Sequence, residues 1–163
     1  MTESATETEK KTKDFKLIPL YDPAAVLKNW KFLSEGLEIV LNYTKGDSSE
    51  AKIVNEILTG QLLLWIGFYD NIYCGFVTTQ IEVIPNAQDK YLNIKQLFIK
   101  QGMDKEVFFG GFTLLKEFAT KWQCNKLRFW TMRRGWEKKL LNKGWKQTYM
   151  EYNYIMKGGD NIG

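Results

Sequence analysis

The sequence predicts an α/β (α+β) domain built on a mixed, mostly antiparallel central sheet, with helices on both faces and a β-bulge in a central strand. Three observations predict this fold. Strand-like and helix-like patterns of apolar residues alternate along the chain, three strand patterns follow one another between Leu62 and Ile99, and the third of these shifts its phase by one residue. Such an order indicates a mixed sheet that is covered by helices.

The first part of the chain predicts one strand and two helices. Residues 15–20 form the strand, and Asp22-Pro23 opens the first helix, because Asp is a favoured N-cap and Pro a favoured first helical residue. Asp47 opens the second helix, with Glu50 three residues later as in a capping box, and Gly60 ends it. The apolar stripes that would be buried are Val26, Trp30, Leu33 and Leu37 in the first helix and Ile53, Val54, Ile57 and Leu58 in the second.

The middle of the chain predicts three consecutive strands. The first covers residues 62–68, and the turn at Asp70-Asn71 leads into the second strand, residues 72–84, which Pro85-Asn86 ends. The third strand covers residues 91–99. Its apolar residues form two pairs that are out of phase by one residue, Leu92 with Ile94 and Leu97 with Ile99.

A β-bulge near Lys95-Gln96 accounts for this phase shift, because a bulge inserts one extra residue into one strand of an antiparallel pair. Four further elements are predicted after it. They are a helix from Lys105 to Trp122, a strand from Lys126 to Met132, a short helix from Glu137 to Asn142 that ends at Gly144, and a strand from Met150 to Met156. Residues 15–157 would form a single domain between two flexible tails, the charged residues 1–14 and residues 158–163.

The composition excludes several kinds of catalytic site. The chain has 163 residues and no His, which removes Ser-His-Asp and Cys-His catalysis and every zinc site that needs imidazole. Cys74 and Cys124 are too few for a cysteine zinc site or a disulfide scaffold, so no metal site is predicted. No signal peptide or 20-residue apolar run is visible, so we expect no membrane span.

Positive charge is concentrated in one part of the sequence. Between Lys116 and Lys146, ten basic residues stand against two acidic ones, while the whole chain has a net charge of only +4. This basic region would face nucleic acid, an acidic partner or cofactor phosphates, or else form a solvated helix face. Arg133 and Arg134 precede Gly135-Trp136, and they would either grip a phosphate or acidic partner or lie solvated in a turn.

The order of elements and several local motifs resemble the GNAT (Gcn5-related N-acetyltransferase) family over residues 15–157. GNAT proteins splay their sheet at a bulge like the one predicted near Lys95-Gln96. The segment Gly110–Leu115 resembles the start of the family's cofactor helix, and Leu141–Lys146 resembles the element before its last strands. Over residues 61–158 the chain resembles more closely the small GNAT-like proteins of tailed phages, a group similar to internal-core assembly proteins of short-tailed phages. The features that carry this closer resemblance are Leu64-Trp65-Ile66, Gly75–Thr79, Cys124 before a strand, Arg133–Trp136 and Gly144-Trp145-Lys146.

The resemblance implies that acyl-CoA lies in the splayed sheet, with its pyrophosphate on the backbone N–H groups at the start of the cofactor helix. Acetyl-CoA or CoA is therefore the expected cofactor. The residues that it assigns to this site are Lys105, Phe109, Gly110, Gly111 and Phe112. Two departures weaken the assignment, because Glu106 would repel a pyrophosphate and Phe109 replaces the first glycine of the family's loop.

The residues that would handle protons are few. A carboxylate or water serves as the base in this family, and Glu82 on the second long strand and Gln96 at the bulge are candidates for the base and for orienting a water. The Tyr that the family places four residues before Gly144 is Leu140 here. Tyr149 is the candidate acid in its place, although it would pack or face solvent if it lies on a strand.

Three functions follow from these observations. The first is a phage-encoded GNAT-fold protein that acts by binding phage structural proteins in virion assembly or in the virion, with a degenerate acyl-CoA site. The second is an acyl-CoA-dependent N-acyltransferase that transfers an acetyl group to an amine. The third is a host-modulating protein that binds nucleic acid through residues 116–146. The expected location is the host cytoplasm, the virion or both, and the sequence leaves open whether the chain is an enzyme.

Overall fold

The computed structural model describes residues 14–42, 48–85, 88–103, 105–130 and 135–148, together with Tyr152, Tyr154 and Met156. The chain divides after Met132 into two compact units. The described part of the first unit contains a sheet and four helices, and that of the second contains one short helix.

The sheet of the first unit has five strands that lie side by side in their order along the chain. The first four strands pair antiparallel, and the fourth and fifth pair parallel. The mixed, mostly antiparallel sheet that the sequence predicts is therefore confirmed. The strands are β1 Phe15–Leu20, β2 Leu63–Tyr69, β3 Ile72–Ile84, β4 Asp89–Ile99 and β5 Lys126–Phe129.

The turn between β2 and β3 has a clear local cause. Asp70 and Asn71 have φ angles of 49° and 64°, which both residues tolerate better than most, and they form the tight turn between β2 and β3. The fifth strand begins at Lys126, as predicted, and its described part ends at Phe129, whereas the predicted end at Met132 lies outside the described residues. The parallel pair of β4 and β5 needs a crossover connection, which the helix between them provides.

The helices in the first part of the chain differ from the prediction in one break and one start. They are α1 Pro23–Lys28, α2 Trp30–Leu41, α3 Glu50–Leu58, α4 Lys105–Lys121 and, in the second unit, α5 Gly135–Leu141. The single N-terminal helix is two helices, because the chain breaks at Asn29, whose side-chain Nδ2 donates to the carbonyl of Ala25 at 2.8 Å. Ser49, not Asp47, caps α3, since its hydroxyl accepts from the backbone N–H of Lys52 at 3.2 Å. Asp47 lies outside the described residues.

Helices cover both faces of the sheet, as predicted. Helices α1, α2 and α3 pack on one face and form an apolar core with Leu64, Ile66 and Phe76. Helix α4 packs on the other face, where the Phe118 ring lies edge-on to the Trp65 ring at 4.8 Å. Residues Leu64 and Ile66 alternate with Trp65 along β2, so the two faces follow from the two-residue period of the strand. None of the described helices is long and apolar enough to cross a membrane.

Helix α2 approaches the sheet closely at Gly36. A Cβ atom at this position would lie 2.6 Å from Cδ1 of Phe98 and would also collide with the Phe76 ring. The glycine therefore lets the helix backbone rest on two aromatic side chains of β3 and β4. This contact fixes the distance of α2 from the sheet.

The second unit contains α5, which begins two residues earlier than predicted and ends before Gly144, where φ is +86°. The predicted strand over residues 150–156 lies mostly outside the described residues. Its three described residues, Tyr152, Tyr154 and Met156, are exposed.

The Gly36 contact predicts opposite effects for one substitution at two helical glycines. Gly36→Ala should lower the free energy of unfolding by about 1–3 kcal/mol, because the new methyl group overpacks Phe76 and Phe98. Gly110→Ala in α4 should instead raise it by about 0.5–1 kcal/mol, since the nearest atom to its Cβ is 3.7 Å away and Ala is the better helix former. Urea denaturation of both variants measures the difference, and equal effects would contradict this account of α2 packing.

Candidate functional site

The predicted bulge is present in β4 and interrupts its pairing with β3. Thr78 pairs with Gln96, whereas the next residue, Thr79, pairs with Ile94. Lys95 is therefore the extra residue, and the two apolar pairs of β4 point to the same face despite their different phase. The bulge prediction at Lys95-Gln96 is confirmed.

The hydroxyl of Thr78 holds the bulge in place. This side chain is fully buried. Its Oγ1 accepts from the backbone N–H of Gln96 at 2.9 Å, and its hydroxyl hydrogen is donated to Oε1 of the Gln96 side chain. The hydroxyl thus satisfies the backbone group that the bulge displaces from the regular ladder, and it fixes the orientation of the Gln96 amide.

The backbone beyond the bulge presents donors at the outer edge of β4. The N–H of Gln96 points toward β3, and so does the N–H of Lys100, which donates to the carbonyl of Cys74 at 2.8 Å. Successive N–H groups of a strand point to opposite edges, so the N–H groups of Leu97 and Ile99 point away from β3. They therefore face the side on which β5 lies.

The strands β4 and β5 pair only up to the bulge. Their parallel register runs from Tyr91 with Lys126 to Ile94 with Phe129, and no described residue of β5 pairs with β4 beyond Ile94. Among the described residues, the two strands are therefore joined on one side of the bulge only. In the described part of the chain, the outer edge of β4 at Leu97 and Ile99 has no strand partner.

Two polar networks hold the joined end of this strand pair. The Asn125 side chain accepts from the backbone N–H of Lys90 at 3.0 Å and donates to Asp89 at 2.9 Å. Hydrogen bonds from Asn125 and from the Tyr91 hydroxyl hold the pKa of the Asp89 carboxyl below its usual value. The second network involves Glu82.

Glu82, a predicted catalytic residue, belongs to a side-chain bridge across three strands. Its carboxylate accepts from the Asn93 amide at 2.7 Å and pairs with the guanidinium of Arg128, whose Nε donates to Asn93 Oδ1 at 2.8 Å. Asn93 is buried, while the side chains of Glu82 and Arg128 are partly exposed. Glu82 lies four residues along β3 from Thr78, a separation of roughly 13 Å. The structure thus places it away from the bulge.

The segment between β4 and α4 has the bounds that the sequence predicts. The strand ends at Ile99 and the helix begins at Lys105, so residues 100–104 form the connection, in which Gly102 has a φ of +87°. Lys105 is at the helix start, as predicted. Phe109, Gly110, Gly111 and Phe112 lie in the second turn of α4, where backbone N–H groups are used within the helix.

The predicted phosphate-binding glycines therefore do not open the helix. Gly110 and Gly111 face the ring of Phe15 on β1, with which a Cβ at Gly111 would be in contact at 3.4 Å. Phe112 is buried, and its ring lies edge-on to that of Phe129 at 6.5 Å. These residues pack α4 on the sheet. The sequence pattern already places the start of this helix at Lys105, whereas the family resemblance assigns the phosphate to glycines that lie five and six residues further along it.

A small apolar cavity lies between the sheet and α4. Its volume is about 50 Å³, and it is bounded by apolar side chains and glycines of β1 to β4 and α4. Leu97 and Ile94, on either side of the bulge, contribute to its wall. Cys74 also lines it, and burial raises the pKa of this thiol to about 11, so the thiol is neutral and a poor nucleophile at physiological pH.

The remaining predicted site residues cannot be placed. Tyr149, Arg133 and Arg134 lie outside the described residues, as does the middle of the basic region. Of the predicted residues, the structure brings only Gln96 to the bulge and only Lys105 to the start of α4. Sequence reasoning missed Thr78, Leu97 and Gly102. Gly102 has a sequence signal, because a glycine shortly after a strand pattern marks a turn.

No protein-family model and no curated protein sequence matches this chain. Its structure, however, is similar to solved acetyltransferases. A ribosomal-protein-alanine N-acetyltransferase from Brucella melitensis matches with a TM-score of 0.64 and 12% identity, over 90% of this chain and 100% of the other. A predicted acetyltransferase with acetyl-CoA from Clostridium acetobutylicum matches with a TM-score of 0.63 and 12% identity, over 86% and 96% of the two chains.

An aminoglycoside N-acetyltransferase in complex with CoA matches with a TM-score of 0.57 and 14% identity, over 91% of this chain and 98% of the other. Because these matches cover nearly the whole of both chains, the fold is that of the GNAT acetyltransferases. The GNAT-like fold class predicted from the sequence is confirmed.

The Thr78 hydrogen bonds predict a difference between two substitutions. Thr78→Val should lower the free energy of unfolding by about 1–3 kcal/mol, because it leaves the buried backbone N–H of Gln96 without its acceptor. Thr78→Ser keeps the hydroxyl and should cost less than Thr78→Val, since it removes only a buried methyl group. Urea denaturation measures both, and a serine variant that is less stable than the valine variant would contradict this role of the hydroxyl.

Proposed function

We propose that this chain is an acyl-CoA-dependent N-acyltransferase. The observation that carries the proposal is the outer edge of β4, where the N–H groups of Leu97 and Ile99 face a side on which no described strand pairs. The pantetheine arm of CoA contains two amide groups, and it would lie along this edge as an additional strand does. The GNAT fold supports the same arrangement.

The chemistry of such a site is direct transfer between two bound substrates. The Leu97 N–H would donate to the thioester carbonyl oxygen and stabilise the negative charge that develops on it. The amine nitrogen attacks the carbonyl carbon, the C–N bond forms and the C–S bond breaks. The CoA sulfur leaves as a thiolate, and the amine gives up a proton. None of these steps needs His.

The connection at residues 100–104 and the start of α4 would hold the pyrophosphate. The first backbone N–H groups of a helix have no partner within it, and the helix dipole favours an anion there. Lys100, directly after β4, is exposed, and Lys105 is the first residue of α4. Glu106 follows directly and would weaken the binding of an anion.

Proton transfer would use water at the bulge. Gln96 lies there with its Oε1 held by Thr78, which leaves its Nε2 to orient a water molecule. Glu82 is roughly 13 Å along β3 from Thr78 and is engaged by Asn93 and Arg128, so it would act only through intervening water. Tyr149 stays a candidate for protonating the thiolate.

The two other functions remain predictions. Binding of phage structural proteins in the virion or during its assembly rests on the sequence resemblance to phage proteins. Nucleic-acid binding rests on the basic region, of which Arg133 and Arg134 are outside the described residues. Neither has the support of an observed surface, whereas the acyltransferase hypothesis has the strand edge and the fold.

Calorimetric titration with CoA and with acetyl-CoA tests cofactor binding directly. We expect dissociation constants in the micromolar range, because the edge of β4 and the start of α4 provide fixed donors for the pantetheine and the pyrophosphate. A chain that binds neither compound at millimolar concentration would overturn the proposed function. In that case the fold would serve for contacts with other macromolecules.

Proline substitutions separate the two N–H groups of the strand edge. Leu97→Pro should lower kcat about 10²–10³-fold, because it removes the donor to the thioester carbonyl, whereas Ile99→Pro should mainly raise KM for acyl-CoA. Leu97→Ala and Ile99→Ala are the controls, because they remove the side chain and keep the N–H. Steady-state kinetics with a primary-amine acceptor measures the effect, and equal kcat values for Leu97→Pro and Leu97→Ala would exclude the assigned role.

A further inference from the structure

The cavity under α4 lies directly beside the bulge. In the sheet register, Trp65 of β2 pairs with Val77 of β3, and Val77 pairs with Leu97 of β4. These three residues form one row, and the contact of Trp65 with Phe118 shows that the row faces α4. The side chains of Val77 and Leu97 line the cavity. A group bound at the Leu97 N–H would therefore have the cavity wall as its neighbour.

The next row of the same face contains two glycines. Leu17 pairs with Gly67, Gly67 with Gly75, and Gly75 with Ile99. The two glycines at the centre of this row line the cavity, and Sγ of Cys74 lies 3.1 Å from the position that a Cβ of Gly67 would take. Gly111 of α4 lies on the opposite wall. At these three positions the cavity wall is therefore formed without side chains from the glycines.

The apolar lining of this cavity suits a hydrocarbon chain. Its residues are apolar side chains, glycines and the neutral thiol of Cys74, with no charged or amide side chain among them. An apolar lining of this kind favours apolar molecules over water. Each water-sized group needs roughly 10–15 Å³ of such volume, so about 50 Å³ accepts a chain of a few carbon atoms.

We infer that the cavity is an acyl-chain pocket and that the preferred donor carries an acyl group of about four to six carbons instead of acetyl. This inference rests on the proposed function, since it assumes that the thioester carbonyl is bound at Leu97. The carbonyl stays at the strand edge, and the alkyl chain passes between Ile94 and Leu97 toward the glycine row. The wall formed by Phe15 and Leu17 of β1 limits its length.

A chain-length series tests the inference on the unmodified protein. CoA, acetyl-CoA, butyryl-CoA, hexanoyl-CoA and decanoyl-CoA are titrated by calorimetry. A buried methylene strengthens binding about fourfold, so butyryl-CoA should bind roughly 15-fold more tightly than acetyl-CoA. Decanoyl-CoA exceeds the cavity and should lose this gain.

Two substitutions locate the effect. Cys74→Leu fills part of the cavity and should abolish the preference for butyryl-CoA over acetyl-CoA. Cys124→Leu is the matched control, because Cys124 lies in the connection between α4 and β5 and does not line the cavity. It should show the same preference as the unsubstituted chain. If Cys74→Leu does not fold, the chain-length series on the unsubstituted protein still tests the acyl-chain pocket.

The possible outcomes separate the two hypotheses. Binding of CoA with equal affinity for acetyl-CoA and butyryl-CoA would overturn the acyl-chain pocket and leave the acyltransferase proposal intact. A preference for butyryl-CoA that persists in Cys74→Leu would mean that the alkyl chain binds outside this cavity, and it would also overturn the acyl-chain pocket. Failure of CoA itself to bind would overturn both.

Discussion

The hydrogen bonds between Thr78 and Gln96 are the interaction on which the candidate site depends. A buried hydroxyl accepts the backbone N–H that the extra residue Lys95 displaces from the β3–β4 ladder. Without this acceptor, the bulge would leave a buried donor unsatisfied, and the pairing would favour a regular register. The bulge in turn decides which N–H groups of β4 point outward. It also lets Ile94 and Leu97 face α4 together, although they are three residues apart.

The paired end of β4 and β5 is held by polar side chains. At one end, Asn125 holds the start of β5 against Lys90 and Asp89, and Arg128 reaches Asn93 and Glu82 across the sheet. These polar contacts are confined to the paired end. Beyond Ile94, the described chain provides no strand partner for β4. The same strand therefore serves as a central strand on one side of the bulge and as an edge strand on the other.

An edge strand with unpaired backbone groups normally invites further strand pairing. Here the stretch without a described strand partner is short, and the proposed function uses it for the pantetheine amides of acyl-CoA. The apolar cavity on the α4 side begins at the same residues. Under the proposed function, a single displacement in one strand would account for a donor at the reacting carbonyl, an edge for the cofactor and a wall for the acyl chain.

Much of the sheet follows from the sequence alone. The alternation of apolar residues gave β1 and β3 at their observed boundaries, the Asp70-Asn71 turn, and the bulge at Lys95-Gln96 from two pairs of apolar residues in different phase. These features depend on neighbours within a few residues, which the sequence contains. The exclusion of imidazole catalysis also follows from the sequence alone, because the chain contains no His.

The tertiary structure decided the features that depend on distant residues. The acceptor for the bulge is Thr78, eighteen positions away from Gln96, and Glu82 is engaged by Arg128, forty-six positions away. No local pattern indicates such partners. The structure also places Gly110 and Gly111 inside a helix that packs on Phe15, and not at its start. The sequence pattern alone does not distinguish these two positions, because a glycine suits both. Which groups remain unpaired is a property of the whole sheet, since every backbone donor of β4 is used or left free according to the strands beside it.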